Sequence, residues 1–203
     1  MQFEIAGINK SFKESFMDML GVLSARYSSP LLEAPAPSAE ELENIYEAMM
    51  RAPDHARLRP LRLQVWQGEG LNRLVQVFVD YTLRKDSQST PEAIERARGR
   101  PLRAPMVISV IARIEEHPKV PEIEQVISVG CSAYAMLLSL DSMGYGGMWR
   151  TGDIAYDPQA LKDMGLAENE KLVGFVYVGT PLDRQIKPVE APIFQDRVQF
   201  ITE

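Results

Sequence analysis

Three short segments join arginine to hydroxyl-bearing or small residues at the ends of predicted helices. They are Ala25-Arg-Tyr-Ser-Ser29, Met50-Arg-Ala-Pro-Asp-His55 and Gly144-Tyr-Gly-Gly-Met-Trp-Arg-Thr-Gly152. A guanidinium group matches phosphate oxygens through two parallel hydrogen bonds, and glycine lets the backbone approach a ligand closely. The segments therefore suit an anionic cofactor, with Trp149 as a flat apolar wall. Taken alone, each segment is also explained by helix ends and turns, with Trp149 in the core.

The remaining reactive side chains form no recognisable catalytic or metal-binding set. The sequence has no G-x-S-x-G elbow and no phosphate-binding P-loop, and the glycines at 144–147 follow a helix rather than a strand. Cys131 lies in an apolar helical segment, which predicts a small buried residue, and His117 lies in a polar turn, which predicts a solvated side chain. One cysteine and two histidines make a structural zinc site improbable, so no metal is predicted. An enzyme built on these residues would leave its chemistry to a bound cofactor.

Composition indicates an ordinary globular chain. Its 203 residues are 45% hydrophobic and 25% charged, with a formal net charge of −6, which speaks against a nucleic-acid partner. No apolar run is long enough to predict a membrane span, and the first ten residues lack the pattern of a signal peptide. The single cysteine excludes an internal disulfide and fits a reducing compartment, so a cytoplasmic location is predicted.

The hydrophobic pattern predicts helices separated by a few strands. Ser38 and Glu41 form a capping box at the start of one helix. The predicted helices begin near Ser15 and then cover Ala39–Arg51, Leu71–Leu83, Pro91–Arg100, Glu122–Met143 and Asp157–Met164. The predicted strands are Arg62–Gln67, Met106–Ala112 and Leu172–Val178, with a strand-like Val198–Ile201, and Leu31–Pro37 is predicted as a connector. Well-separated strands joined by helices indicate an α/β or α+β sheet with helices on its faces, in one domain over residues 17–203 after an arm of residues 1–16.

Taken together, in this order and spacing, these segments resemble the nitroreductase superfamily, and most closely its short, minimal NAD(P)H nitroreductases. The resemblance covers residues 17–203. It rests on Leu23–Ser29, Arg51-Ala-Pro-Asp-His55, Arg103-Ala-Pro-Met-Val-Ile108, Gly130-Cys-Ser-Ala, residues 144–151 and Lys171-Leu-Val-Gly-Phe-Val-Tyr-Val-Gly-Thr-Pro181.

The resemblance implies an α+β fold, a three-layer α-β-α sandwich, and an intertwined homodimer with two FMN sites at its interface. It implies that FMN contacts Arg26, Tyr27, Ser28, Trp149, Arg150 and Thr151 of one subunit, and Arg51 and His55 of the other. It further implies that the nicotinamide site is bordered by Leu140, Asp141, Ser142, Met143 and Gly144, and that the C-terminal strand extends to the other subunit's sheet.

The activity implied by the resemblance is FMN-dependent and needs no catalytic side chain. The flavin would take a hydride from NADH or NADPH and pass electrons to a nitroaromatic, a quinone or a similar small planar acceptor in a ping-pong cycle. Two departures bear on this expectation: Arg26-Tyr27-Ser28 stands where relatives have Arg-Arg-Ser, and Arg59-Pro60-Leu61 stands where relatives often have Gln-Pro-Trp. They leave open two alternatives. The first is a non-redox flavin-binding dimer with a degenerate site, and the second, ranked below it, is a purely structural or interaction protein.

Overall fold

The computed structural model describes residues 19–183 and 193–202. The predicted arm of residues 1–16, and the predicted helix start near Ser15, lie outside the described residues. Elements are numbered below within the described part.

The described part of the chain contains an antiparallel sheet with a long strand at its centre. Its strands are β1 (Leu32–Glu33), β2 (Leu61–Gln67), β3 (Met106–Arg113), β4 (Gly146–Arg150) and β5 (Glu170–Pro181). The order β2-β3-β5 forms the body, while β4 and β1 pair with the second half of β5. The register places Arg150 opposite Phe175, and Val107 opposite both Trp66 and Tyr177. The end of β4 therefore lies beside the middle of β5.

Helices cover both faces of this sheet. They are α1 (Met19–Ala25), α2 (Ala39–Met49), α3 (Glu69–Lys85), α4 (Pro91–Gly99), α5 (Glu122–Ser142) and α6 (Pro158–Asp163). Short 3₁₀ turns occupy His55–Arg57, Pro101–Arg103, Asp153–Tyr156 and Phe194–Asp196.

The layered α-β-α architecture is confirmed by two separate cores. On one face, Phe78 of α3 packs with Val107 and Phe175 of the sheet, in a core that also includes residues of α6 and of the turn after it. On the other face, Met49 of α2 and Met136 of α5 pack with sheet residues such as Ile108 and Val176. Strand β3 is buried on both faces because its alternate side chains enter the two cores in turn.

The capping box at the start of α2 is confirmed. The Glu41 N–H donates to the Ser38 hydroxyl at 3.2 Å, and the Ser38 N–H donates to the Glu41 carboxylate at 2.8 Å. The helix ends at Met49, two residues before the predicted end. There the N–H groups of Arg51 and Ala52 bond three residues back, so the chain leaves the α geometry before Pro53 forces it to.

Two predictions about single segments are wrong. Cys131 is exposed rather than buried, because it lies on the face of α5 that points away from the sheet, together with the exposed Ile127 and Tyr134. A helix that is apolar on most sides does not reveal from its sequence which side meets the core. The connector at Leu31–Pro37 contains strand β1, which is only two residues long and carries no period-2 signal.

The C-terminal residues form no strand in the described part of the chain. Phe194–Asp196 is a 3₁₀ turn, and residues 198–202 have no regular structure. Phe194, Phe200 and Ile201 are exposed by 58%, 75% and 76%, so these apolar side chains are not covered by the rest of the described chain.

Helix α5 contributes Val129, Met136 and Leu140 to the core, and all three are buried. By length and composition alone it is also the one described helix that could cross a membrane, but such a signal is weak because core helices share it.

Candidate functional site

A cleft of about 750 Å³ lies between β4, the end of α3 and the turn that precedes β3. This volume is in the usual range for small-molecule sites. The cleft is lined by Phe78, Tyr81, Thr82, Lys85, Asp86, Ser89, Arg100, Arg103, Met148, Trp149, Arg150, Thr151, Gly152, Asp153, Ile154 and Tyr177. It thus contains the three residues of the predicted Trp-Arg-Thr segment.

The cleft is basic, although the chain as a whole is acidic. Lys85, Arg100, Arg103 and Arg150 supply four cations to the lining, against two carboxylates. The Arg150 guanidinium carbon lies 5.8 Å from the centre of the Tyr177 ring. Burial raises the pKa of the Tyr177 hydroxyl, whereas Arg150, Arg103 and Arg100 each act to lower that pKa. The Arg150 guanidinium therefore lies at the Tyr177 ring, and Arg100 and Arg103 line the same cleft.

Trp149 reaches the cleft while packing between β5 and α5. Its indole Nε1 donates to the Val173 carbonyl at 3.4 Å, and a Cβ added at Gly174 would lie 2.1 Å from that nitrogen. On α5, Gly130 leaves room for the far edge of the ring, which lies 3.9 Å from the position of a Cβ there. The indole therefore packs in the core on the α5 face of the sheet, whereas apolar side chains of the cleft such as Tyr177 belong to the core on the other face. The predicted role of the indole as a wall for a cofactor stays a prediction.

The Arg26–Ser28 segment lies beside the start of β4. The Ser29 N–H donates to the Gly147 carbonyl at 3.2 Å, and the 1%-exposed Ser29 side chain occupies the space that a Cβ on Gly146 would need. The Tyr27 hydroxyl donates to the Asp183 carbonyl at 3.2 Å, just after β5. Since a strand rises about 3.4 Å per residue, the Ser29–Gly147 contact lies about 10 Å along β4 from Arg150. The predicted cofactor ligands Arg26, Tyr27 and Ser28 do not line the cleft itself.

Arg51 and His55 lie along the other side of α5. The Ser132 hydroxyl donates to the Met49 carbonyl at 3.1 Å, which anchors the end of α2, and His55 Nδ1 lies 2.6 Å from a carboxylate oxygen of Glu124. Both Arg51 and His55 are exposed.

Helix α5 separates these two groups within one chain. Trp149 contacts α5 at Gly130, whereas the Arg51 segment is attached at Ser132. Two residues turn a helix by about 200°, so the contacts are at nearly the same height but on opposite sides. A single copy therefore does not bring Arg51 and His55 into the cleft that holds Arg150.

The predicted nicotinamide-binding segment forms the end of α5 and its C-terminal turn. Leu140 is fully buried in the core, Ser142 donates to the Ser139 carbonyl, and Gly144 has the positive φ of 86° that ends the helix. None of residues 140–144 lines the cleft.

Most of the cleft lining has no counterpart in the site predicted from sequence, including the cations Lys85, Arg100 and Arg103 and the aromatic Tyr177. The arginine-rich stretch around Arg100 was visible in the sequence, but a charged helix face is usually solvated. Pro101 begins the 3₁₀ turn that brings Arg100 and Arg103 to the edge of the sheet, and this turn carries no clear signal beyond its proline.

Comparison with known proteins identifies the class of fold. A crystal structure of a nitroreductase-like family protein from Bacillus cereus superposes with a TM-score of 0.79 at 20% identity, covering 93% of this chain and 98% of that chain. A nitroreductase crystallised with bound FMN from Bacteroides fragilis gives 0.68 at 20% identity, covering 92% and 100%. The chain therefore has the nitroreductase fold.

The sequence comparisons assign the family. The profile of the "Nitroreductase family" matches residues 23–180. The Escherichia coli protein named "Putative NAD(P)H nitroreductase YdjA" is 39% identical over 186 residues, which is 92% of this chain and 99% of that protein. The chain belongs to the nitroreductase family.

Proposed function

We propose that the protein is an FMN-dependent NAD(P)H oxidoreductase that reduces nitroaromatics, quinones or similar planar acceptors in a ping-pong cycle. The observation that carries the proposal is the basic cleft beside β4. Its lining includes Trp149, Arg150 and Thr151 together with Arg100 and Arg103. Family membership supports the reaction class, and the relatives' names and the FMN-bound neighbour support the cofactor and the nucleotide.

The residues of the cleft fit FMN. Cations exceed carboxylates by two in the lining, which favours an anionic ligand. Phe78, Tyr177 and Met148 supply apolar surface for a flat ring, and the volume suits a cofactor of this size. The Ser29–Gly147 contact, just after the Arg26–Ser28 segment, lies about 10 Å along β4 from Arg150, a separation that a ribityl phosphate attached to the ring can bridge.

Each group has a definite task in this proposal. Arg26 and Ser28 bind phosphate oxygens, the former through its guanidinium fork. Arg150, with Arg100 and Arg103 nearby, binds the polar edge of the flavin and stabilises negative charge there. When bound, FMN would supply the hydride and electron transfer between NAD(P)H and the acceptor, so the protein needs no nucleophile of its own.

The cytoplasmic location stays a prediction.

The proposed site is completed by a second copy of the chain. Arg51 and His55 cannot reach their own chain's cleft, but a second copy could bring its pair to it. Two apolar surfaces support a homodimer: the outer face of α5, where Ile123 and Ile127 are exposed by 61% and 57%, and the exposed C-terminal residues Phe194 and Phe200. The interface would bury both.

The proposal is tested by flavin content and flavin reduction. FMN-saturated protein should show flavin absorbance that bleaches under anaerobic conditions on addition of NADH or NADPH, and the colour should return when a nitroaromatic or quinone is added. Stopped flow with both nucleotides would also show which one is used. Tight FMN binding without bleaching would support a non-redox flavin-binding dimer instead. Failure to bind FMN would refute both.

A further inference from the structure

We propose that Glu124 is a positioning residue that holds the His55 imidazole in the orientation and tautomer with which it binds FMN in the cleft of a second copy. The inference rests on the proposed function, in which His55 contacts the cofactor. It assigns to Glu124, in the first turn of α5, a role that neither the sequence motifs nor the cleft indicates.

The contact between the two side chains fixes the imidazole at one nitrogen. His55 Nδ1 lies 2.6 Å from Glu124 Oε2, and the two side chains are 55% and 44% exposed. An ionised carboxylate can only accept a hydrogen bond, so Nδ1 must carry the proton. The neutral ring then presents Nε2 as an acceptor, suited to an N–H donor such as the flavin carries. Without Glu124, the exposed ring could rotate and exchange tautomers.

The backbone that carries His55 is also held in one conformation. The Asp54 carboxylate accepts from the Arg59 N–H at 2.8 Å. Between these residues Ala56 and Arg57 have φ values of 60° and 57°, and Arg59 has 52°. Non-glycine residues rarely adopt this left-handed region, and clusters of them occur mainly where the surroundings impose a functional geometry. The turn fixes the backbone position of His55, and Glu124 fixes the orientation of its imidazole ring.

The other histidine provides an internal reference. The Lys119 N–H donates to His117 Nδ1 at 3.2 Å, so His117 carries its proton on Nε2 when it is neutral. The two histidines of the chain should therefore be of opposite tautomers. The ¹⁵N shifts of the two rings, measured on FMN-free protein at a pH where both are neutral, should show Nδ1–H for His55 and Nε2–H for His117.

FMN affinity tests the consequence of this positioning. Glu124→Ala should raise the FMN dissociation constant about two- to tenfold, the usual cost of ordering one side chain on binding. Glu122→Ala is the matched control, because Glu122 lies in the same turn of α5, is 53% exposed and pairs with Lys171 rather than with a predicted site residue. Titration of FMN fluorescence quenching measures both. If Glu124→Ala does not fold, Glu124→Leu replaces it, since leucine keeps the bulk of the side chain but has no acceptor for Nδ1.

A double mutant separates positioning from general structural support. On a His55→Ala background, Glu124→Ala should cause no further loss of FMN affinity, since it acts through the missing ring. Unchanged affinity in Glu124→Ala, an equal loss in Glu122→Ala, or an additive loss in the double mutant would each overturn the inference while leaving the proposed function intact. Wild-type protein that does not bind FMN would overturn both, whatever tautomer His55 has.

Discussion

Arg150 connects the aromatic and the cationic residues of the cleft. It follows Trp149 at the end of β4, its guanidinium lies over Tyr177, and it acts with Arg100 and Arg103 on the same phenol. Its position depends on Gly174, because a side chain there would collide with the Trp149 indole and approach the Arg150 carbonyl to 3.0 Å. Gly174 on β5 therefore leaves the space that Trp149 and Arg150 of the neighbouring strand β4 occupy.

Replacing Arg150 should weaken cofactor binding without unfolding the protein. Hydrogen bonds to charged groups contribute about 1.5–3 kcal/mol, so Arg150→Ala should raise the FMN dissociation constant about 10- to 100-fold. Arg98→Ala is the control, since Arg98 is an exposed cation on α4 that does not line the cleft. Quenching titrations measure both affinities. Equal losses in the two variants would mean that only net charge matters.

At the scale of elements, a partly buried ion pair joins the starts of β2 and β5. Arg62 binds both carboxylate oxygens of Glu170, at 2.5 and 2.7 Å, and the Ala167 N–H donates to the same carboxylate at 3.0 Å. Glu170 is only 8% exposed. The hydrogen bond from Arg62 is the largest cause that holds the pKa of this carboxyl below its ordinary value, and burial acts against it.

This pair should make stability depend on acid pH. Because the pKa of Glu170 is lowered in the folded state, its stabilisation is present above the unfolded pKa, near 4.5, and is lost as the pH falls through the folded pKa. Glu170→Gln should therefore lower the free energy of unfolding by about 1–3 kcal/mol at pH 7, and by progressively less toward pH 3.

Urea unfolding at several pH values and a fixed protein concentration measures the difference between wild type and variant. Glu168→Gln, which removes an exposed carboxylate two residues earlier, is the control. A difference that stays constant from pH 7 to pH 3 would contradict the assigned role of the ion pair.

At the scale of the whole molecule, the proposed site is divided by α5. One side of this helix receives Trp149 and the other anchors the Arg51–His55 segment, while its outer face exposes Ile127, Cys131 and Tyr134. In the proposed dimer, the second copy would supply Arg51 and His55 to the cleft. The arrangement explains why a chain with every predicted site residue does not assemble them by itself.

Co-expression of two defective chains tests this division. His55→Ala and Arg150→Ala should each bind FMN weakly as homodimers. A mixed dimer would contain one intact site, formed by Arg150 of the first variant and His55 of the second, so random pairing should restore about a quarter of the wild-type sites. Differently tagged chains allow the mixed dimer to be isolated and its FMN content measured. A mixed dimer without a restored site would place both residues in one chain's site.

Local signals in the sequence were sufficient for most of the fold. The capping box at Ser38, the apolar runs of β3 and β5, and the periodicity of α3 and α5 predicted elements that the structure confirms within a few residues, because each depends on neighbours along the chain. β1 was missed because a two-residue strand exists only through its partner, and Cys131 was misplaced because α5 is apolar on both its inner and its outer face.

The sequence by itself determined the family, because the order and spacing of its short motifs can be read directly along the chain. It also indicated that arginines, rather than a nucleophile, would carry the site. Only the tertiary structure decided that Arg100, Arg103 and Lys85 line one cleft with Arg150, and that Glu124 pairs with His55. These contacts join residues far apart along the chain, and their geometry is set by how the strands align and how helices pack on them, which no local pattern encodes.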